Sequence, residues 1–161
     1  MTDDNAAIHQ VSHFLAALAH ACETNLGRSS LSLSVLAGKK FGKEAVQAAE
    51  QTTDPFKAIE ILRDALAARG IMWDFEAFEG DKGQIFEEDG KKKIRLAFHT
   101  CMVRNALFRY AHDQKQSLCY MAHGVFAGAM ERVMPNATVH LEIVHAGPNA
   151  CLKELIWEET P

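Results

Sequence analysis

Apolar residues recur at helical spacing through the first part of the chain. Residues 6–23 predict one helix, which a break at Asn25-Leu26-Gly27 separates from a second helix over residues 30–50. A third helix begins at Thr53-Asp54-Pro55, where a capping residue precedes a proline in the first turn, and it ends at Gly70. The N-terminal part of the protein is therefore predicted to be helical.

After Gly70 the pattern changes to alternation of polar and apolar positions, which is typical of strands. Alternation or strand-forming residues occur in the segments 73–78, 84–88, 92–99, 138–145 and 151–158. Turns at Asp89-Gly90 and Gly147-Pro148-Asn149 predict two hairpins, and helices are expected over 102–112 and 116–134. The order of elements, with helices first and then an antiparallel sheet interrupted by two helices, indicates an α+β fold. The helices are expected to pack on one face of the sheet. We expect a single domain over 1–161.

The composition is that of a globular domain, since 48% of residues are hydrophobic and 24% are charged. The formal charge of -4 offers no overall basic surface for a nucleic-acid backbone.

No apolar run approaches the roughly 20 residues of a membrane helix, and the N-terminus lacks the basic start of a signal peptide. A cytoplasmic location is expected, with the four cysteines as thiols or metal ligands.

A candidate metal site lies near the end of the chain. Glu142 and His145 precede the last turn, Cys151 follows it, and Cys119 opens the buried helix before this hairpin. Thiolate, imidazole and carboxylate ligands suit a four-coordinate, structural Zn²⁺. In the alternative interpretation, Cys119 and Cys151 are small buried hydrophobes. Under strict alternation Glu142 and His145 face opposite ways, so the site needs a β-bulge, or Cys101 as a substitute ligand.

These residues also carry a family resemblance. Residues 118–151 resemble the signature of 4-vinyl reductase-like, hydrocarbon-binding domains. In that signature a Cys begins a helix that contains two glycines. The next strand ends in Glu-x-x-Cys, and a Gly-containing turn and a final Cys follow it. His145 stands in place of the middle Cys, and the following loop is short. The matching positions are Cys119, Gly124, Gly128, Glu142 and Cys151, and Gly27, Gly38 and Gly42 resemble the family's upstream glycine-spaced helix.

The resemblance covers residues 25–158, leaving 1–24 as an N-terminal helix. It implies the fold of the ligand-binding domains found in nitric-oxide signalling and Golgi transport. It further implies a small-molecule sensor or carrier for an apolar or aromatic ligand, with a structural zinc beside the pocket. In a third interpretation the protein is a scaffold that forms a homodimer through its N-terminal helices, as the trafficking relatives of this fold use helices to pair. The chain leaves no room for an ATPase or a complete additional DNA-binding domain, so we expect a stand-alone domain.

Aromatic, methionine and histidine side chains are candidates for the pocket lining, although ordinary core packing explains many of the same residues. Gly38 and Gly42 permit either the close approach of another backbone or a local break. His123 either bonds a ligand or satisfies a backbone carbonyl. The candidate lining residues are Trp73, Phe75, Phe98, His99, Met102, Phe108, Met121, His123 and Phe126.

An enzymatic alternative remains open. Cys101 follows His99 at the end of a predicted strand, where it could act as the nucleophile of a hydrolase if the histidine were an aligned base. An open metal site that activates water is a second enzymatic route. His9 and His13 are four residues apart on the first helix, but no third metal ligand is evident.

Overall fold

The predicted order of helices and strands is confirmed in the computed structural model, which describes residues 3–71, 73–101, 103–104, 115–147 and 150–159. The helices are α1 (Asp3–Leu26), α2 (Arg28–Ala45), α3 (Pro55–Ala67) and α4 (Ser117–Val133). The strands are β1 (Asp74–Ala77), β2 (Ile85–Glu88), β3 (Lys91–Thr100), β4 (Ala137–Ala146) and β5 (Cys151–Glu159). None of the described helices is long and apolar enough to cross a bilayer.

The five strands form one antiparallel sheet in the order β1-β3-β5-β4, with β2 also paired to β3. The hairpin between β2 and β3 turns at Asp89 and Gly90, which have φ angles of 55° and 73°. Positive φ at both central residues is the geometry of a type I′ turn, for which Asp-Gly is a favoured pair. The α+β architecture predicted from the sequence is confirmed.

The core lies between the helices and one face of the sheet, which we call the inner face. Alternate residues of the strands point there, and α4 lies over them with Phe126 and Met130 fully buried. On α3, the Asp54 carboxylate caps the helix by accepting from the amides of Phe56 and Lys57, as the Thr-Asp-Pro sequence predicts. Buried residues of the inner face include Phe75, Ile94, Leu96, Phe98, Val139, Leu141, Leu155 and Trp157.

The helices α2 and α4 pack backbone to backbone. The most extensive helix contact in the fold joins them, and it depends on glycines at Gly38 and Gly42 of α2 and Gly124 and Gly128 of α4. A Cβ atom built on Gly124 would lie 3.0 Å from the Cα of Gly38 and closer still to the carbonyl of Val35. Of the two interpretations of the α2 glycines, the close approach of another backbone is therefore confirmed.

Two predicted segments differ from the structure or lie outside it. The second helix ends at Ala45, short of residue 50, because Val46 leaves the helical conformation and buries its side chain in the core. The helix predicted over 102–112 falls almost entirely outside the described residues. Within this segment only residues 103 and 104 are described, and both are helical. Within the predicted final turn, Pro148 and Asn149 also lie outside them.

Candidate functional site

The strand register divides the four predicted zinc ligands between the two faces of the sheet. Glu142 lies opposite Glu154 and His145 opposite Leu152, and both side chains are exposed on the outer face. Cys151 lies opposite Phe98 of β3, whose buried ring points to the inner face. The required β-bulge is present between Ile143 and His145. It brings Glu142 and His145 to one side of β4, but that side faces away from the cysteines.

Three cysteines lie instead on the side of the inner face, within electrostatic range of Lys153 but not close enough together to share one metal ion among the described residues. Cys119 lies in the first turn of α4, and Cys101 is buried just beyond the end of β3. Cys119 interacts electrostatically with Cys151, and both Cys119 and Cys101 interact with Lys153, two residues after Cys151 on β5. Burial raises the pKa of the Cys119 thiol, although the Lys115 amide and the Lys153 ammonium oppose this rise. The cluster therefore combines cysteine side chains with a cation.

The side chains present do not fit the predicted four-coordinate zinc site. Among the described residues, no three His, Cys, Asp or Glu side chains lie close enough together to hold one metal ion. A buried ammonium within electrostatic range of Cys101, Cys119 and Cys151 also opposes the approach of a second cation. Zinc remains a prediction, with Cys101 as the inner-face alternative to Glu142.

Phe98 is the centre of an aromatic cluster on the inner face. Its ring stacks on Phe75 with centroids 5.0 Å apart and meets the edges of Phe126 at 6.0 Å and Trp73 at 6.4 Å. Strands β1 and β3 hold Phe75 and Phe98 directly opposite each other, while α4 places Phe126 over them. The indole Nε1 of Trp73 is buried without a hydrogen-bond partner in the described part of the chain. The cluster therefore combines an apolar surface with a free donor.

Two buried cations border this cluster. The Lys153 Nζ lies 4.6 Å from the ring centroid of Phe98, a cation–π distance, and the Lys153 side chain is on the inner face of β5. Arg104 is also buried and donates through Nη1 to the carbonyl of Phe98, at 3.4 Å, and through Nη2 to the carbonyl of His99. Burial lowers the pKa of Lys153; the nearby cysteines oppose this change, and the guanidinium of Arg104 adds to it.

His123 adds a third buried polar group. It lies on α4 one turn after Cys119, so the two side chains share a face of the helix. Burial and the nearby Lys153 ammonium lower the pKa of His123 to about 3, and its Nε2 has no hydrogen-bond partner among the described residues. Whether His123 contacts a ligand or satisfies a backbone carbonyl stays a prediction, and its Nε2 is the nitrogen that a ligand could reach.

The other predicted pocket residues have different surroundings. His99 is on the outer face, where its Nε2 lies 2.9 Å from the Glu76 carboxylate, so it does not share the inner face with Cys101 as an aligned base. Met121 is exposed. Met102 and Phe108 lie outside the described residues.

Two cavities flank the inner face. One, of about 450 Å³, lies between α2, α4 and the edge of β4, and His123 is among its lining residues. The other, of about 500 Å³, lies between α3 and the start of the sheet and is lined by Trp73, Ile71 and Thr100. Trp73 and His123, which each carry a buried nitrogen without a hydrogen-bond partner among the described residues, therefore line cavities that a small molecule could enter.

Sequence analysis did not single out Lys153 or Arg104. The signal for Lys153 is nevertheless in the sequence, because it occupies the same strand parity as Leu155 and Trp157, which are apolar and buried. A charged residue at an apolar position of a strand departs from the binary pattern that specifies a sheet. Arg104 carries no comparable signal, since an arginine in the predicted helix over 102–112 is ordinarily exposed.

Comparison with known proteins supports the fold. No family model and no curated protein sequence matches the chain. The crystal structure of the phenol-responsive sensory domain of the transcription activator PoxR with phenol is 12% identical, with a TM-score of 0.58 over 91% of this chain and 73% of that one. Trafficking protein particle complex subunit 3 from Naegleria fowleri, covalently bound to palmitic acid, is 13% identical, with a TM-score of 0.50 over 94% and 98%. The chain therefore has the fold of these two domains.

Proposed function

We propose that this protein binds a small aromatic or other apolar molecule beside Phe98, on the inner face of the sheet, and that it serves as a sensor or carrier domain of the 4-vinyl reductase-like type. The observation that carries the proposal is the aromatic cluster of Trp73, Phe75, Phe98 and Phe126, bordered by buried polar groups without partners. Apolar walls with a few converging polar groups are typical of small-molecule sites.

The fold supports the same function. The phenol-bound sensory domain of PoxR has this architecture, and the trafficking subunit with the same architecture is bound to a fatty acid. Both ligands present an apolar body and one oxygen-containing end, which matches an aromatic surface beside buried polar groups. A cytoplasmic setting belongs to the proposal, since the four cysteines are free thiols.

Replacing Phe98 by Leu tests the binding site. We expect phenol, toluene, benzoate or octanoate to raise the melting temperature of the native protein, and Phe98→Leu to reduce this rise because three ring contacts are lost. Phe86→Leu is the matched control, since Phe86 is also buried but lies on the outer face beneath Arg95. Equal ligand responses in the two variants, or no response to any of these compounds in the native protein, would contradict the proposal.

The proposal does not require zinc. Elemental analysis of the purified protein tests the metal separately, and about one zinc per chain would favour a rearranged site that includes Cys101. Catalysis by Cys101 has no support from the geometry, because His99 is engaged with Glu76 on the outer face. Rapid, selective alkylation of Cys101 by iodoacetamide would restore the enzymatic alternative.

We also propose that two copies pair through α1. Ile8, Val11, Leu15 and Leu18 are each at least half exposed and recur at the alternating three- and four-residue spacing of a coiled-coil seam. A neighbouring face of α1 packs on the rest of the chain through the small residues Ala16 and Ala19. The apolar seam is therefore left for a second copy.

The change Leu15→Glu is expected to convert the dimer to a monomer, because it places two like charges at the centre of the seam. Light scattering coupled to size-exclusion chromatography measures the mass directly. Phe78→Glu is the control, since Phe78 is 46% exposed but lies far along the chain, beside β1. A native protein that is already monomeric at high concentration would overturn this part of the proposal.

A further inference from the structure

Lys153 is a buried cation on the apolar face of a sheet. Its side chain is 5% exposed, and its neighbours across the strands are Leu96 of β3 and Ile143 of β4. The ammonium lies over the ring of Phe98 at 4.6 Å. A charged lysine in this position lowers the free energy of unfolding, because removing a charge from water is unfavourable unless a partner of opposite charge compensates for it.

Other lysines of the same sheet have such partners. The Nζ of Lys91 lies 2.7 Å from the Glu158 carboxylate, and that of Lys93 lies 2.8 Å from Glu88. Both of these ion pairs are outside the core. Within the described ranges no carboxylate pairs with Lys153, and the ionisable groups that interact with it electrostatically are three cysteines, Arg104 and His123.

Arg104 reinforces the positive charge at the cluster. It is 6% exposed, and its guanidinium donates to the carbonyls of Phe98 and His99, which are neutral acceptors. These hydrogen bonds hold the guanidinium in place at the end of β3 without neutralising it. The surroundings of the Phe98 ring are therefore apolar on the side of the aromatic cluster and basic on the side of Lys153 and Arg104. The cavity between α3 and the start of the sheet reaches this cluster through Trp73, whose ring lies 6.4 Å from that of Phe98.

We propose that this site selects an anionic ligand, a small aromatic or aliphatic monocarboxylate whose carboxylate pairs with Lys153 while its apolar body lies against the ring of Phe98. The inference rests on the proposed small-molecule function and names the class of ligand for it. A carboxylate supplies the missing counter-charge, and an apolar body matches the aromatic cluster. Lys153 is then the residue that determines specificity.

Other ligand classes fit less well. A neutral phenol or hydrocarbon would leave the buried ammonium without a counter-charge, and a cationic ligand would be repelled by both Lys153 and Arg104. A doubly charged phosphate needs more hydrogen-bond donors than an aromatic surface with one free ammonium provides. A monoanion with a hydrophobic body satisfies both halves of the site.

Titration calorimetry with matched pairs of compounds tests the inference. The pairs are benzoate with benzamide, 4-phenylbutyrate with 4-phenylbutyramide, and octanoate with octanamide, in which each amide keeps the shape of its carboxylate but has no charge. We expect the carboxylate that fits best to bind about tenfold more tightly than its amide, as one charge-assisted contact provides. Lys153→Met is expected to abolish this preference while leaving the affinity for the amide within about threefold of the native value.

Two further variants sharpen the experiment. Lys153→Arg retains the charge and is expected to keep the preference for carboxylates, whereas Lys40→Met removes an exposed lysine of α2 and should change nothing. Without ligand, Lys153→Met is expected to melt several degrees above the native protein, since it removes an uncompensated buried charge. A lower melting temperature would show that the protein already neutralises Lys153, by a thiolate or another group, and would overturn the inference.

The possible results separate this inference from the function on which it rests. Amides that bind the native protein as tightly as their carboxylates would overturn the anionic specificity while supporting the small-molecule site. A preference for carboxylates that survives in Lys153→Met would also overturn it. Failure of every carboxylate and every amide to bind would contradict both claims.

Discussion

Replacing Gly124 by Ala is expected to lower the free energy of unfolding by about 3 kcal/mol or more. The added methyl group would overlap the backbone carbonyl of Val35 and approach the Cα of Gly38 to 3.0 Å. Neither backbone atom can turn aside as a side chain can, so α2 and α4 would have to separate along their length. Chemical denaturation monitored by circular dichroism measures the loss.

Gly80→Ala is the control for that substitution. The nearest atom to a Cβ at Gly80 is the Nη1 of Arg95, at 3.3 Å, which is the mobile end of a long side chain. Its stability should therefore remain within about 0.5 kcal/mol of the native value. Equal stability in Gly124→Ala and Gly80→Ala would show that α2 and α4 do not pack as closely as described.

The second large effect concerns His123 and pH. Burial and the Lys153 ammonium lower the pKa of His123 in the folded state to about 3, from the ordinary histidine value of 6.5. Below pH 6.5 His123 binds a proton in the unfolded chain but stays neutral in the folded protein. The free energy of unfolding therefore falls as the pH falls, by about 1.4 kcal/mol per pH unit. At pH 4.5 the loss from this one residue is about 3 kcal/mol.

His123→Phe is expected to remove this contribution, because phenylalanine has no proton to gain in either state. The free energies of unfolding of the two proteins should converge or cross as the pH is lowered from 7 to 4.5, with the variant favoured at the acid end. His140→Gln, which replaces an exposed histidine of β4, should keep the native pH dependence. Parallel profiles for the native protein and His123→Phe would show that His123 is accessible to protons.

The main elements of the fold follow from local signals in the sequence. Asp54 followed by Pro55 gives the start of α3, Asp89-Gly90 gives the β2–β3 turn, and Gly27 separates α1 from α2. Each signal depends on the chain's own conformational preferences, so it can be recognised without knowing the tertiary structure. The four-residue spacing of the glycines in α2 left a close approach and a local break equally open, and it did not say which other helix would approach.

The candidate site was harder to predict because it depends on register. A strand pattern does not say where a bulge shifts the parity of its side chains. The shift between Ile143 and His145 placed His145 on the outer face, where regular alternation already puts Glu142. The aromatic members Trp73, Phe98 and Phe126 do lie together, since strong periodicity put each on an inward face. Lys153 was not predicted because a lysine in a strand is ordinarily exposed, and its buried position follows only from the pairing of β5 with β3 and β4.

The fluorescence of Trp73 tests the proposed ligand site most directly. In a Trp157→Phe protein Trp73 is the remaining tryptophan, and its ring lies 6.4 Å from Phe98. Trp157 lies four residues beyond Lys153 on β5, a distance of about 13 Å along the strand. In a Trp73→Phe protein, Trp157 therefore reports on a more distant part of the core.

Titration of these two proteins with 4-nitrobenzoate, an aromatic quencher that carries a carboxylate, gives the decisive result. We predict saturable quenching of Trp73, with much weaker quenching of Trp157, because a ligand beside Phe98 contacts the first indole and not the second. Linear, non-saturating quenching of both tryptophans would mean that the compound only collides with the surface. That result would contradict a small-molecule site in the aromatic cluster.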